Sequence, residues 1–134
     1  MIRAKKSLGQ NFLIDREVIE KITNVVQIKD KTILEVGPGT GNLTSFILKK
    51  KPKKMFVIEK DDELAIDLNE TFKDQLTIIN DDILQVDENL IFKNKVTVFG
   101  NLPYNISTEI LSKWITQTKD EFWFNNLILM FQKE

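Results

Sequence analysis

"TILEVGPGTGNL", residues 32–43, decides the fold. "TILEV" (32–36) is a short apolar run of the buried-strand type. The residues after it turn directly into a helical pattern with Leu43, Phe46, Ile47 and Leu48 on its apolar side. Between the two stand Gly37, Gly39 and Gly41. Glycines allow tight turns and let the backbone approach a ligand closely. In open parallel sheets, ligands sit outside the carboxyl ends of the strands. The three glycines therefore mark a ligand site.

The same alternation continues outward. Upstream, Val18, Ile19, Ile22, Val25 and Val26 follow helical spacing, and Asp15 can cap that helix. Downstream, "KMFVIE" (54–59), "LTII" (76–79), "VTVF" (96–99) and "NLILMF" (126–131) read as further strands. Residues 61–72 read as a helix with Leu64, Leu68 and Phe72 on one face. A helix capped by Asn105 or Ser107 carries Ile110, Leu111, Trp114 and Ile115. Strands alternating with helices predict an α/β fold, a mostly parallel sheet with helices on both faces. No repeat, linker or low-complexity segment divides the chain, so residues 1–134 read as part of one domain. The strand at 126–131 is followed only by "QKE". The expectation is an N-terminal part of a larger domain, truncated at its C-terminus.

Composition narrows the class. The 134 residues are 42% hydrophobic and 29% charged, as in globular chains. No apolar run is long enough to span a membrane, and "MIRAKKSLGQNFL" has no signal core. There is no cysteine and no histidine. Thiolate metal sites are excluded, no metal is expected, and a cytoplasmic protein fits. Acid–base chemistry would fall to Asp, Glu, Lys or Tyr. The net charge of −1 conceals an asymmetry: residues 1–60 sum to +7 and residues 61–134 to −8. A basic half is suited to a polyanion such as nucleic acid.

The glycine loop discriminates among ligands. The dinucleotide fingerprint is G-x-G-x-x-G. Here the spacing is G-x-G-x-G, and Asn42 takes the fingerprint's last glycine position. That argues against a nicotinamide-dependent oxidoreductase. The phosphate-loop pattern fails because no lysine follows at the required place. With Glu35 ahead of it, the loop resembles motif I of S-adenosylmethionine-dependent methyltransferases.

Acids stand at the next strand ends. Glu59 closes "VIE", and a carboxylate there can accept both hydroxyls of a ribose. Asp82, with Asp81 as rival, follows the third strand and can accept from an adenine amino group. The fourth strand runs into "GNLPYNIS" (100–107). An aromatic amine is a weak nucleophile. Acceptors on its hydrogens would orient its lone pair and offset the charge that develops on nitrogen. The side-chain oxygen of Asn101 and the main-chain carbonyl of Leu102 are the candidates. Pro103 keeps Leu102 out of the helical region. Tyr104 offers a ring face on which an extruded base can stack.

In order and spacing, "SLGQNFL", "EVGPGTGNLT", "VIEKDDEL", "NDDIL" and "GNLPYNIST" resemble the ribosomal RNA adenine dimethyltransferases of the KsgA type. The resemblance implies a Rossmann-like methyltransferase fold that uses S-adenosyl-L-methionine and releases S-adenosyl-L-homocysteine. It implies cofactor contacts at Asn11, Leu13, Gly37, Gly39, Glu59, Asp82 and Asn101. It implies base handling by Asn101, Leu102, Pro103 and Tyr104. The implied reaction is dimethylation of N6 on two adjacent adenines near the 3′ end of small-subunit ribosomal RNA, with the immature small subunit as partner. The erythromycin-resistance methyltransferases, acting on large-subunit RNA, are the nearest alternative; a non-catalytic RNA-binding relative is another. Members of the family continue past "FQKE" into the rest of the sheet and a helical domain, which leaves the activity of this length of chain open.

Overall fold

Ile33 and Leu34 are adjacent and both fully buried, yet they belong to two different cores. This follows from the period-two geometry of strand β1 (Thr32–Val36), whose successive side chains leave opposite faces of the sheet. The computed structural model describes residues 16–117 and 121–132. Its strands β1, β2 (Lys54–Ile58), β3 (Thr77–Ile79), β4 (Val96–Pro103) and β5 (Phe124–Gln132) form one sheet of order β3-β2-β1-β4-β5. All four pairings are parallel. The order reverses direction between β1 and β4, the place where open α/β sheets bind ligands.

On one face, Ile33 and Val57 meet Ile19 of helix α1 (Arg16–Asn24) and Leu43 and Ile47 of α2 (Asn42–Lys49). Phe72, at the end of α3 (Asp62–Phe72), packs against the same cluster. On the other face, Leu34, Val36 and Val98 meet Ile110 and Trp114 of α5 (Tyr104–Gln117), with Val86 and Phe92 flanking the short α4 (Glu88–Ile91). Trp114, Trp123, Phe92 and Phe56 interlock there, with ring centroids 5.0 to 5.5 Å apart. Aromatic pairs of this kind contribute about 0.5–1.5 kcal/mol each beyond area burial. The expected helices on both faces are therefore present.

Local expectations hold with corrections at element boundaries: β3 starts at Thr77, one residue later than expected, and β5 spans Phe124–Gln132 where 126–131 was expected. The fourth strand runs to Pro103, four residues past the expected end at Phe99, and passes into α5 without a turn. Consequently Asn105 and Ser107 lie inside α5 and do not cap it; Ser107 is buried. The first helix ends at Asn24, and Val18 and Val25 are exposed, not core. Strand β2 ends at Ile58, leaving Glu59 just beyond it. The helix expected over 61–72 forms, with Asp61 as its cap: the Asp61 carboxylate accepts from the Leu64 N–H at 3.0 Å. The proposed cap Asp15 lies outside the described residues.

Candidate functional site at the carboxyl ends of the strands

A cavity of about 370 Å³ opens at the carboxyl ends of β1, β2, β3 and β4. Its apolar wall is Val36, Ile58, Ile83, Leu84, Leu102 and Ile106. Its carboxylates are Glu59, Asp61, Asp81 and Asp82. An apolar slot with a few convergent polar groups is the general form of a small-molecule site.

The glycine loop lies against this cavity. Gly37, Gly39 and Gly41 all have left-handed backbone, at φ 66°, 58° and 90°. At Gly37 a Cβ would lie 2.4 Å from Leu102 Cδ2. Only glycine lets the loop and the end of β4 close on each other. Leu102 thus touches the loop, lines the cavity and sits within the "NLPY" segment. At Gly41 the added carbon would meet Phe72 at 2.8 Å, so this glycine also permits α2 to pack on α3.

Glu59 braces the loop. It is buried, and its Oε1 accepts from the Gly39 N–H at 3.2 Å while Oε2 accepts from the Asp61 N–H at 3.0 Å. Each carboxylate oxygen can accept a further hydrogen bond, so acceptor capacity remains toward the cavity. Burial raises its pKa above the ordinary carboxylate value, and the Asp61 and Gly39 N–H groups oppose that rise. The Asn80 side chain donates to the Glu59 carbonyl at 2.9 Å, tying the ends of β2 and β3 together. Glu35 has a different place. It is buried toward α2, where the Thr44 hydroxyl donates to it at 2.5 Å, and it does not line the cavity. Burial pushes its carboxyl up to about 8; the Thr44 bond opposes this and the Glu59 charge adds to it.

Asp81 and Asp82 both line the cavity. The Asp82 carboxylate accepts from the Leu84 N–H at 3.0 Å and lies 3.5 Å from the Lys60 ammonium. Asp81 is exposed and accepts from the Asp82 N–H at 2.7 Å. Asn101 and Tyr104 stand at the carboxyl end of β4, either side of Leu102 and Pro103, but neither lines the cavity itself. Tyr104 is 60% exposed. Pro103 ends the strand with Leu102 extended before it, as a residue preceding proline prefers. Asn11 and Leu13 lie outside the described residues.

One structural element had no signal in the sequence. The Lys113 ammonium, from α5, donates to the carbonyls of Ile83 and Val86 at 2.6 and 2.5 Å and to Glu88 Oε2 at 2.9 Å. The Trp114 indole N–H donates to the same Glu88 oxygen at 2.7 Å. Glu88 is buried and Lys113 nearly so, with side chains 2% and 10% exposed. This cluster fastens the helix that begins at Tyr104 to the loop that supplies Asp82, Ile83 and Leu84 to the cavity.

The reversed strand order, the glycine loop at the end of β1 and the acids at the ends of β2 and β3 define a Rossmann-like methyltransferase domain. Within that class the chain belongs to the ribosomal RNA adenine dimethylase family, whose profile matches residues 1–134. It is 65% identical over 133 residues to the ribosomal RNA small subunit methyltransferase A of Pelagibacter ubique, covering 99% of this chain and 51% of that protein. The chain thus spans about half the length of the curated relatives it matches. Among solved structures it is similar to a dimethyladenosine transferase from Plasmodium falciparum, at 27% identity and a TM-score of 0.74 over 92% of this chain and 44% of that one. It is also similar to the 23S rRNA methyltransferase ErmE, at 28% identity and a TM-score of 0.67 over 78% of this chain and 43% of that one.

Proposed function

We propose that this chain is the cofactor-binding part of an enzyme that dimethylates N6 of two adjacent adenines near the 3′ end of small-subunit ribosomal RNA, acting on the immature small subunit in the cytoplasm. The observation that carries the reading is Leu102, which joins the glycine loop, the cavity wall and the "NLPY" segment in one contact set. A cofactor held in the cavity and a base held at Asn101–Tyr104 would then be neighbours. Membership in the ribosomal RNA adenine dimethylase family supports the substrate class.

The cavity residues suit an adenosyl cofactor. Its apolar wall matches a purine, and its carboxylates match hydroxyl and amino donors. S-Adenosylmethionine supplies an electrophilic methyl group when bound. Glu59 would accept the ribose hydroxyls, and Asp82, with Asp81 as the alternative, would accept from the adenine amino group. Gly37 and Gly39 would admit the cofactor close to the backbone, with Asn11, Leu13 and Asn101 completing its contacts. On the substrate side, Tyr104 stacks the extruded adenine. The Asn101 side chain and the Leu102 carbonyl accept from its amino hydrogens. That would direct the nitrogen lone pair at the sulfonium methyl and offset the positive charge on nitrogen as the N–CH3 bond forms and the S–CH3 bond breaks, with S-adenosylhomocysteine as the leaving group and the displaced amino proton passing to solvent.

The large-subunit reading has one observation in its favour, the likeness to ErmE. A single assay separates the two. The protein at its natural length is incubated with methyl-labelled S-adenosylmethionine and either immature small or large subunits, and modified adenines are mapped. Label on two adjacent adenines of small-subunit RNA is expected. Label confined to large-subunit RNA, or none on either, overturns the proposal.

A further inference from the structure

The end of the sheet opposite the cavity carries a concentrated positive charge that the site does not use. Lys29 and Lys31 lie in the loop before β1, and Lys49, Lys50, Lys51, Lys53 and Lys54 span the junction of α2 and β2. Asp30 is the one carboxylate in these two stretches. The fold makes them a single surface. The Asp30 N–H donates to the Lys51 carbonyl at 3.1 Å, and the Lys53 N–H to the Lys31 carbonyl at 2.8 Å. Six of the seven lysines are exposed and Lys50 is half-buried. Among the described residues none of the seven is ion-paired. Lys49 and Lys54 lie over the rings of Phe46 and Phe56, and Lys50 donates to Asn24. Lys29, Lys31, Lys51 and Lys53 point their charge at solvent.

Helix chemistry explains part of this. Cations at the end of α2 complement its dipole, which accounts for Lys49 and Lys50. It does not account for Lys29, Lys31, Lys53 or Lys54. It also leaves Lys51 unexplained: its φ of 58° is the left-handed conformation that follows a helix, where glycine is the usual residue. Asp30, opposite it, is left-handed as well, at φ 62°. A lysine thus stands where glycine would be less strained, and its carbonyl is the acceptor of the Asp30 N–H that joins the two loops. Departures from local preference of this kind concentrate at functional surfaces.

We propose that this lysine face is a second RNA-docking surface, gripping phosphates of the RNA whose adenine is handled at the other end of the sheet. The inference rests on the functional reading above for its choice of polyanion. The two ends are separated by the length of β1, about 17 Å for five residues. A folded RNA can span that distance, with phosphate contacts setting orientation while the base is read elsewhere. Five of the seven lysines sit on loops, with Lys49 closing α2 and Lys54 opening β2; they do not line one side of an amphipathic helix, which is the arrangement that inserts into lipid.

The test uses the protein at its natural length carrying Lys29→Gln, Lys31→Gln, Lys51→Asn and Lys53→Gln together. Binding to immature small subunits is measured across a salt series, beside S-adenosylhomocysteine titration and anionic vesicle co-sedimentation. Each phosphate contact contributes roughly 0.7–0.9 to the slope of log affinity against log salt. Losing four should flatten the slope by about 3, weaken RNA binding strongly at low salt and leave cofactor affinity unchanged. Arginine at the same four positions should restore the slope. An unchanged slope overturns the proposal, as does loss of vesicle binding without loss of RNA binding. A wild-type protein that binds the subunit but transfers no methyl group overturns the functional reading instead, and leaves the slope comparison decisive for the surface.

Discussion

Replacing Lys113 by Met tests whether the buried cluster holds the cavity wall in place. Methionine has similar length and no charge. The substitution would leave Glu88, 2% exposed, with a charge compensated only by the Trp114 indole, and would remove the donor to the Ile83 and Val86 carbonyls. Breaking one side of a buried ion pair costs about 3–5 kcal/mol, chiefly because the other charge stays buried. Against the 5–15 kcal/mol of a typical domain, that is a large fraction. Glu88→Gln keeps an acceptor for the indole and should cost less, about 1.5–3 kcal/mol. The double variant removes both charges and should cost clearly less than the two single losses added together. Urea unfolding of the four proteins closes the cycle, and S-adenosylhomocysteine titration of the folded single variants follows the loop. A Lys113→Met loss below about 1 kcal/mol, or strict additivity, would refute the pairing argument. Unchanged cofactor affinity in folded Lys113→Met would refute the positioning argument, because Asp82, Ile83 and Leu84 would then not depend on the clamp.

Three further outcomes are expected. Gly37→Ala places a Cβ 2.4 Å from Leu102 at a positive φ, so calorimetry should show destabilisation of at least about 1 kcal/mol and loss of cofactor binding. Glu59→Gln keeps one oxygen for the Gly39 N–H but loses the charge, and should weaken S-adenosylhomocysteine roughly tenfold to a hundredfold while the fold survives; unchanged affinity would remove Glu59 from the site. Glu35→Gln should gain stability over wild type as pH rises. The Glu35 carboxyl is raised to about 8 in the folded protein from an ordinary 4.5, so wild-type stability is fully present below the lower value and lost progressively toward the higher. Thermal unfolding from pH 5 to 8 should show the gap widening; a constant gap would mean Glu35 is not buried as a protonated acid.

The fold was legible because each strand is a short apolar run ended by a residue with a different task. "TILEV" followed by Gly37, Gly39 and Gly41 reads as a buried strand ending in a glycine loop, and the sheet order confirms the parallel α/β arrangement. Glu59 and Asp82 were legible for the same reason: strand ends at the carboxyl edge face the cavity, and both line it. The loop-bracing role of Glu59 was not legible, since its contact with Gly39 joins residues twenty positions apart. Gly100 and Pro103 both look like strand breakers in the sequence, yet pairing with β5 carries β4 through them to Pro103. Ser107, like Asn105, has the residue type of a helix cap, whereas its position inside α5 turns it inward. Lys113 reads as an ordinary solvated lysine; only the packing of α5 on the loop before α4 reveals its partners.

Single-turnover methyl transfer to immature small subunits decides whether a base held on Tyr104 meets a cofactor held in the adjoining cavity. Stacking on an aromatic ring is worth roughly 1–3 kcal/mol per base. In the protein at its natural length, Tyr104→Ala should therefore slow transfer by about tenfold to a hundredfold with S-adenosylhomocysteine affinity nearly intact, while Tyr104→Phe, which keeps the ring face, should stay close to wild type. Wild-type rates for Tyr104→Ala would show that Tyr104 does not hold the base and reduce it to an exposed residue without a part in the reaction.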